Sequence, residues 1–471
     1  MVFSSNVFLF LFLPAFLAVY YLLPFRAKSA WILVGSYVLY GWWRLDFLWL
    51  LVGITVLGYV FALAIHQAPQ PRKRRLLTAS IVLNLGALGY FKYANFGVDS
   101  FNALVRGFGF EPFSWTPVLL PIGLSFFIFH AISYVVDVYR EEEPPTRNLL
   151  DFAAFIALFP HLIAGPVLKY NLLADQFRSR THSFANFSDG AQRFMVGFAK
   201  KVLIADTLAP LVTASFAAPN PTLADAWLGA LAYTLQLFFD FSGYSDMAIG
   251  LALMMGFRFP ENFNHPYISR SITEFWRRWH MSLSSWLREY LYISLGGNRR
   301  GRARTYLNLW LTMVLGGLWH GANWTFVLWG AWHGSILALE RLLGERRLWR
   351  PVAPMLGVAG TMVLVVLGWV MFRAANVAEA FGIYRGMLGL NGVRLSDDLA
   401  WQVSGVQVVT LVAGTLLVYL APFWGSLAAR ARTAGAVAWT NAATLVVPPL
   451  FVMSVLKLSA QSYTPFLYFQ F

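Results

Sequence analysis

The sequence predicts an all-α protein that crosses a membrane many times, and three features of the chain predict it. Hydrophobic residues fill 58% of the 471 positions and charged residues only 12%, which leaves too little polar surface to cover a soluble particle of this size. The apolar runs recur at about the 20-residue length of a spanning helix, far longer than the roughly ten-residue alternating strands of an outer-membrane barrel. The net charge of +14 is held in short Arg and Lys clusters between those runs, as the positive-inside rule requires of cytoplasmic loops. No zinc-finger, RNP or Walker pattern accompanies the basic clusters, so nucleic acid is not an expected partner. The chain has no cysteine, which excludes disulfides, thiolate metal sites and cysteine nucleophiles.

The first run, residues 6–23, has no cation before it and meets Arg26 and Lys28 only after it. A signal peptide needs the reverse order, so this run reads as a retained span with its N-terminus outside. Runs 30–43 and 47–65 follow, and the second empties into Arg72, Lys73, Arg74 and Arg75, on the same side as Arg26. Runs 76–93 and 118–138 lead out and back to the charged turn around Arg140 and Glu141. Residues 160–166, PHLIAGP, then place a proline at each end of an apolar stretch. A re-entrant turn accounts for this, because broken backbone is tolerated at membrane depth only where protein or water satisfies it. His161 within the turn reads either as a cavity-lining group or as a hydrogen-bond partner that repairs the break.

A span over 194–219 carries Lys200 and Lys201 early, and the next, 227–255, contains FDFSGYSD at 239–246. Asp240 and Asp246 are candidate site residues, set against a reading in which they pair with basic groups of another helix to hold the bundle. The polar insertion 256–305 is dominated by Arg and Lys and is expected in the cytoplasm. Within it Ile272, Phe275, Trp276, Trp279, Leu283, Trp286, Leu287 and Tyr290 keep the spacing of one amphipathic helix lying in the interface, with Arg277, Arg278 and Arg288 elsewhere on the wheel. His280 falls at the edge of the apolar face, where it is placed to enter a cavity roofed by the helix.

Residues 309–334, LWLTMVLGGLWHGANWTFVLWGAWHG, set His320 in the middle of about the apolar length that a spanning helix requires. An ionisable group at that depth is a functional site by default, the plainer reading being a hydrogen bond to a neighbouring helix. Gly316, Gly317 and Asn323 share the helical face of His320 and let a backbone or substrate approach it. The run ends at the basic turn 345–347, and spans 355–372, 407–420 and 438–456 bring both termini to the outside. One membrane-embedded domain over 1–471 is expected, with His280 on the insertion 256–305 and His320 on the helices of 306–341.

Phe275-Trp276-Arg277-Arg278-Trp279-His280, followed by Trp319-His320-Gly321-Ala322-Asn323, resembles the membrane-bound O-acyltransferase family. The 239–246 segment and Glu261-Asn262-Phe263 look like its bacterial branch, which acetylates exopolysaccharides. The resemblance covers residues 1–347 and continues more weakly to 471. It implies about 10–12 transmembrane helices, with re-entrant and interfacial helices, in a ring around a central tunnel. It also implies that His320 matches the catalytic histidine and His280 the second polar position, which is Asn in many eukaryotic members. Trp319 and Arg277, inside the matching motifs, join Gly316, Gly317, Asn323, Asp240, Asp246 and His161 as candidates for lining the tunnel. The donor implied is a cytoplasmic acetyl thioester, acetyl-CoA, with no bound cofactor or metal. The acceptor would be an exported glycan such as alginate or cellulose, or a periplasmic or membrane-anchored O-acetyltransferase partner in a secretion complex. The setting would be the bacterial inner membrane.

Moving an acetyl group from a thioester to a hydroxyl needs a base for the released proton, and without cysteine a neutral histidine is the natural one. An acetyl-imidazole intermediate on His320, with His280 as its base, satisfies the same sequence. The competing class is a proton-coupled transporter or channel in which His161, His280, His320 and Asp246 form a relay. Transporters of that kind show paired broken helices in two related halves, and here the breaks and histidines crowd the middle of the chain.

Overall fold

A computed structural model describes residues 2–345, 354–433, 438–460 and 466, so the turn at 346–347 and both chain ends lie outside the described residues. The described residues are helical, with no strand among them. A π turn, Phe8–Phe12, opens into α1 (Leu13–Leu22), followed by α2 (Phe25–Gly41) and α3 (Asp46–Gln67). Helix α4 (Arg72–Leu88) runs through a second π turn into α5 (Ala94–Gly107), and α6 (Leu124–Arg140) and α7 (Leu149–Ala157) follow. Next come α8 (Phe159–Leu162), α9 (Tyr170–Arg178), α10 (Phe184–Ala199), α11 (Asp206–Ala217) and α12 (Leu223–Met254). The polar insertion holds a 3-10 turn, Pro266–Ile268, then α13 (Ile272–Trp276), α14 (Met281–Trp286) and a π turn, Leu287–Tyr292. The chain continues with α15 (Arg302–His320), α16 (Trp324–Glu345), α17 (Pro354–Arg373), α18 (Val377–Met387), α19 (Asp397–Ala400), α20 (Gly405–Thr433) and α21 (Ala438–Ala460).

Among the described residues, four stretches are long and apolar enough to cross a bilayer: Asp46–Gln67, Arg72–Gly107, Pro354–Arg373 and Gly405–Phe423. Their outer faces stay apolar, with Trp49, Val60, Val82, Val406, Val409 and Leu416 exposed. In water such faces would aggregate; in lipid they match the solvent, and the helical ladder satisfies every backbone group internally.

The chain divides into two compact units, one of residues up to Gly190 with Ala248–Phe259, the other of Ala191–Met247 with Pro260 onward. In the first, α6 is the core: every residue from Leu124 to Val138 is buried, and α3, α4, α7 and α9 pack against it. The proline-bounded turn is broken as the sequence suggests, since α7 ends at Ala157, α8 lasts four residues with Pro160 in its first turn, and the whole stretch is buried. Gly123 is required beside it, because its φ is +76° and a Cβ there would sit 2.6 Å from the Leu162 carbonyl oxygen.

The second unit differs from the expectation at two places. The 309–334 run is not one span but two antiparallel helices, α15 ending at His320 and α16 starting at Trp324. Asn323 makes the turn: its Oδ1 accepts the Thr325 amide (3.1 Å) and its Nδ2 donates to the Ala375 carbonyl (2.8 Å), so it caps α16. The two helices then press backbone on backbone, since a Cβ at Gly317 would lie 2.2 Å from the Phe326 oxygen and one at Gly330 2.4 Å from the Met313 oxygen. The single amphipathic helix of the insertion is likewise broken. His280 sits between α13 and α14 with left-handed backbone, φ 44° and ψ 54°, and periodicity alone does not see a kink after which the apolar face resumes in register.

Gly330→Ala pushes a methyl into the Met313 carbonyl and is expected to cost about 1–3 kcal/mol of stability, read as a lower thermal midpoint in detergent. Gly344→Ala, where nothing lies within 4 Å on the same helix, is the control and should leave the midpoint unchanged or raise it.

Candidate active site

Within the second unit, α13, α14, α15 and α16 enclose a cavity of about 640 Å³, and His320, Gly316 and Arg277 all lie on its wall. This is the size of a pocket for a small organic ligand. Most of the lining is apolar, including Leu283, Leu287, Leu309, Met313, Trp329 and Leu337, with Trp276 from the end of α13. Three guanidinium groups, Arg277, Arg288 and Arg341, share the wall with one carboxylate, Glu340. The carboxylate is committed elsewhere: it accepts from the Ile272 amide (2.7 Å), the Thr273 amide (2.9 Å) and the Thr273 hydroxyl (2.7 Å). The cavity is therefore apolar inside and cationic in net charge.

His320 is only 7% exposed. As the last residue of α15 it stands where the hairpin turns, and three aromatic rings meet its edges: Trp319 at 5.0 Å, Phe372 at 5.2 Å and Trp329 at 5.3 Å between centroids. Such a cage fixes the ring plane and strips it of bulk water. Gly321 is small of necessity, because a Cβ there would overlap the Phe326 ring at 2.0 Å.

His280 is fully buried but does not line the cavity. Its ring stands edge-on to Phe241 at 4.7 Å and lies 6.3 Å from Trp319, so Trp319 touches both histidines. Its Nδ1 is 3.1 Å from the Asn262 amide oxygen. Burial in this segment between spans pushes its pKa down to about 3, so the neutral imidazole is the form present at physiological pH.

The remaining candidates have identifiable packing roles. Gly317 faces the α16 backbone and Asn323 caps α16, so neither lines the cavity. Asp240 is paired with Lys201 at 3.0 Å, which also holds Asp206 at 2.5 Å. Asp246 takes Arg193 at 2.9 Å and Lys200 at 2.6 Å, with Glu261 on the far side of Arg193 at 2.5 Å. His161 belongs to the first unit, where its Nε2–H donates to the Phe155 carbonyl (2.8 Å) and its ring stacks on His130 at 4.4 Å.

Sequence reasoning passed over His333. It is fully buried beneath two cavity residues, 5.3 Å from Trp276 and 5.1 Å from Trp329, and Gly368 leaves room for it, a Cβ there lying 2.8 Å from its Nε2. The signal was present as a second Trp-His-Gly, at 332–334, thirteen residues after the first. Arg288, Arg341 and Glu340 were also passed over, because their common cavity depends on a hairpin that hydropathy does not reveal.

A polytopic helical chain with a caged histidine on an apolar, cationic cavity belongs among the membrane enzymes that move acyl groups. The model of the membrane-bound O-acyltransferase family matches residues 137–377, and the chain belongs to that family. It is 55% identical, over all of both chains, to the probable alginate O-acetylase AlgI of Azotobacter vinelandii. It is 36% identical to the peptidoglycan O-acetyltransferase of Helicobacter pylori, over 84% of this chain and 81% of that one. The teichoic acid D-alanyltransferase of Bacillus subtilis shares 31% identity over 42% of this chain and 53% of its own length. The protein is a membrane-bound O-acyltransferase.

A side chain at Gly316 would grow into the cavity, meeting only the Leu287 methyl at 3.2 Å. Gly316→Leu is expected to lower acyl transfer by about a hundredfold, as misplacing reactants by an ångström does, with the thermal midpoint nearly unchanged. Transfer assays and melting curves on the same preparation check this.

Proposed function

We propose that this protein takes an acetyl group from acetyl-CoA in the cytoplasm and passes it across the bacterial inner membrane for O-acetylation of an exopolysaccharide, alginate. The names of its near relatives at full length support the polymer. The observation that carries the reaction is the placement of His320 on the wall of an apolar cavity whose net charge is positive. The apolar interior suits a pantetheine arm and its acetyl thioester. Arg277, Arg288 and Arg341 suit the phosphates of the donor, which guanidinium groups bind bidentately.

In this reading the imidazole of His320 takes the proton of the acceptor hydroxyl as its oxygen bonds to the thioester carbonyl carbon. The tetrahedral intermediate then collapses, the carbon–sulfur bond breaks, and the thiolate leaves with the proton from His320. Ester and free thiol are the products. The aromatic cage excludes water that would otherwise hydrolyse the donor. The acceptor is the glycan itself or a periplasmic O-acetyltransferase partner that passes the group on. A cavity that forms the cytoplasmic half of a tunnel, with both termini periplasmic, agrees with the basic clusters at 72–75 and 299–304.

His320→Ala is expected to abolish polymer acetylation, a loss of at least about a thousandfold for removal of the base, while membrane insertion and yield stay normal. Acetyl ester content of the exported polymer, with the protein quantified in membranes, is the measurement. Ester content near the wild-type level would remove His320 from the mechanism.

A further inference from the structure

Glu261-Asn262-Phe263, which the resemblance picked out without a role, sits against the second histidine. The Asn262 amide oxygen is the focus of three contacts: the Ser282 amide at 3.3 Å, the Ser282 hydroxyl at 2.9 Å and His280 Nδ1 at 3.1 Å. Its Nδ2 donates to Ser245 Oγ at 3.0 Å, and its backbone carbonyl accepts the Met281 amide at 2.9 Å. Asn262 and His280 are both fully enclosed.

These contacts decide the protonation of the ring. A backbone N–H only donates, so the Ser282 amide fixes which end of the Asn262 side chain is oxygen and removes the usual ambiguity of an amide flip. An oxygen facing His280 Nδ1 in turn requires a proton on that nitrogen. In a neutral imidazole the other nitrogen is then bare, and His280 Nε2 has no hydrogen-bond partner among the described residues. The left-handed backbone of His280, strained for a residue with a Cβ, is held by the same asparagine through the Met281 and Ser282 amides.

We propose that Asn262 is a positioning residue that locks His280 as its Nδ1–H tautomer, presenting Nε2 as a bare proton acceptor for acetyl transfer. Acetyl transfer rests on the function proposed above, in which His320 takes the hydroxyl proton; His280 Nε2 is a second place to which that proton passes before it leaves with the thiolate, while the tautomer rests on geometry alone. No carboxylate does this job, and the neutral amide orients the ring without drawing a proton onto Nε2, whereas a carboxylate partner would favour the imidazolium. Ser245 and Ser282 in turn hold the amide, so the lock is built from α12, the Glu261-Asn262-Phe263 segment and α14.

The test uses the full-length protein in lipid bilayers, labelled with 15N-histidine, with His280 assigned among the eight histidines by its loss in His280→Gln. The expected spectrum shows His280 neutral, protonated at Nδ1 and bare at Nε2. In Asn262→Ala the Nδ1–H preference should be lost, and transfer of labelled acetyl groups from acetyl-CoA should fall by about tenfold or more, since a wrong tautomer disables a base. Asn262→Asp keeps an acceptor at the same place and guards against a folding failure of the alanine variant: it should keep the Nδ1–H bond, raise the pKa of His280 and move the rise of transfer with pH upward. A wild-type spectrum with the proton on Nε2 would overturn the positioning role and leave the cavity's function standing. Wild-type transfer by His280→Gln, with the spectrum as expected, would overturn the part of His280 in the reaction and with it that of Asn262. Wild-type transfer by an Asn262→Ala protein whose tautomer has changed would overturn the proposal equally.

Discussion

The contact on which the site depends is between two backbones. Gly317 on α15 lies against the Phe326 carbonyl of α16, and Gly330 on α16 lies against Met313 of α15. In lipid, apolar side chains gain little by leaving one solvent for another like it, so close approach of small residues and dispersion between backbones carry the association. The approach sets the distance between His320, at the end of α15, and Trp329, on the second turn of α16, at 5.3 Å between rings. It also leaves Gly316, one residue before the packing glycine, free to face the cavity instead. One face of α15 thus serves packing and the next lines the cavity.

Charge is divided in the same way. On α12 the buried Asp240 is paired with Lys201 and the half-buried Asp246 with Arg193 and Lys200. Unpaired, each would cost several kcal/mol, so these charges belong to the fold. Glu340 is likewise occupied in capping α13, and three guanidinium groups stand with it on the cavity wall. Two buried imidazoles remain in this unit beside the ion pairs, His320 on the cavity wall among aromatic rings and His280 behind Trp319 against the Asn262 amide.

Much of the fold was legible because apolar length is. The expected spans 47–65 and 355–372 agree within two residues with α3 and α17, since in both a charge or a proline stands at each edge. Length alone misled at 309–334, where the apolar run continues through the Gly321-Ala322-Asn323 turn and hides a hairpin. Periodicity misled at 272–290 for a related reason: the left-handed residue His280 redirects the chain while Leu283 and Trp286 keep the spacing begun by Phe275 and Trp279. His320 drew attention as an ionisable group in an apolar run, Gly316 by sharing its helical face, and Arg277 only as part of the motif that resembles the family; the structure places all three on one cavity wall. The Asn262 contact with His280 spans 18 residues and joins a loop to a kink, so no local pattern carries it; Lys201 and Asp240, on different helices, were visible only as charges in need of partners.

The central claim is that the acetyl group crosses the bilayer through the protein by way of His320. Its most direct test is transfer in sealed vesicles, with labelled acetyl-CoA confined to the cytoplasmic face and the polymer acceptor, with any partner protein, confined to the other. Label appearing on the acceptor with the wild type, and none with His320→Ala, is the result expected. Label reaching the acceptor only when donor and acceptor share one face would contradict it.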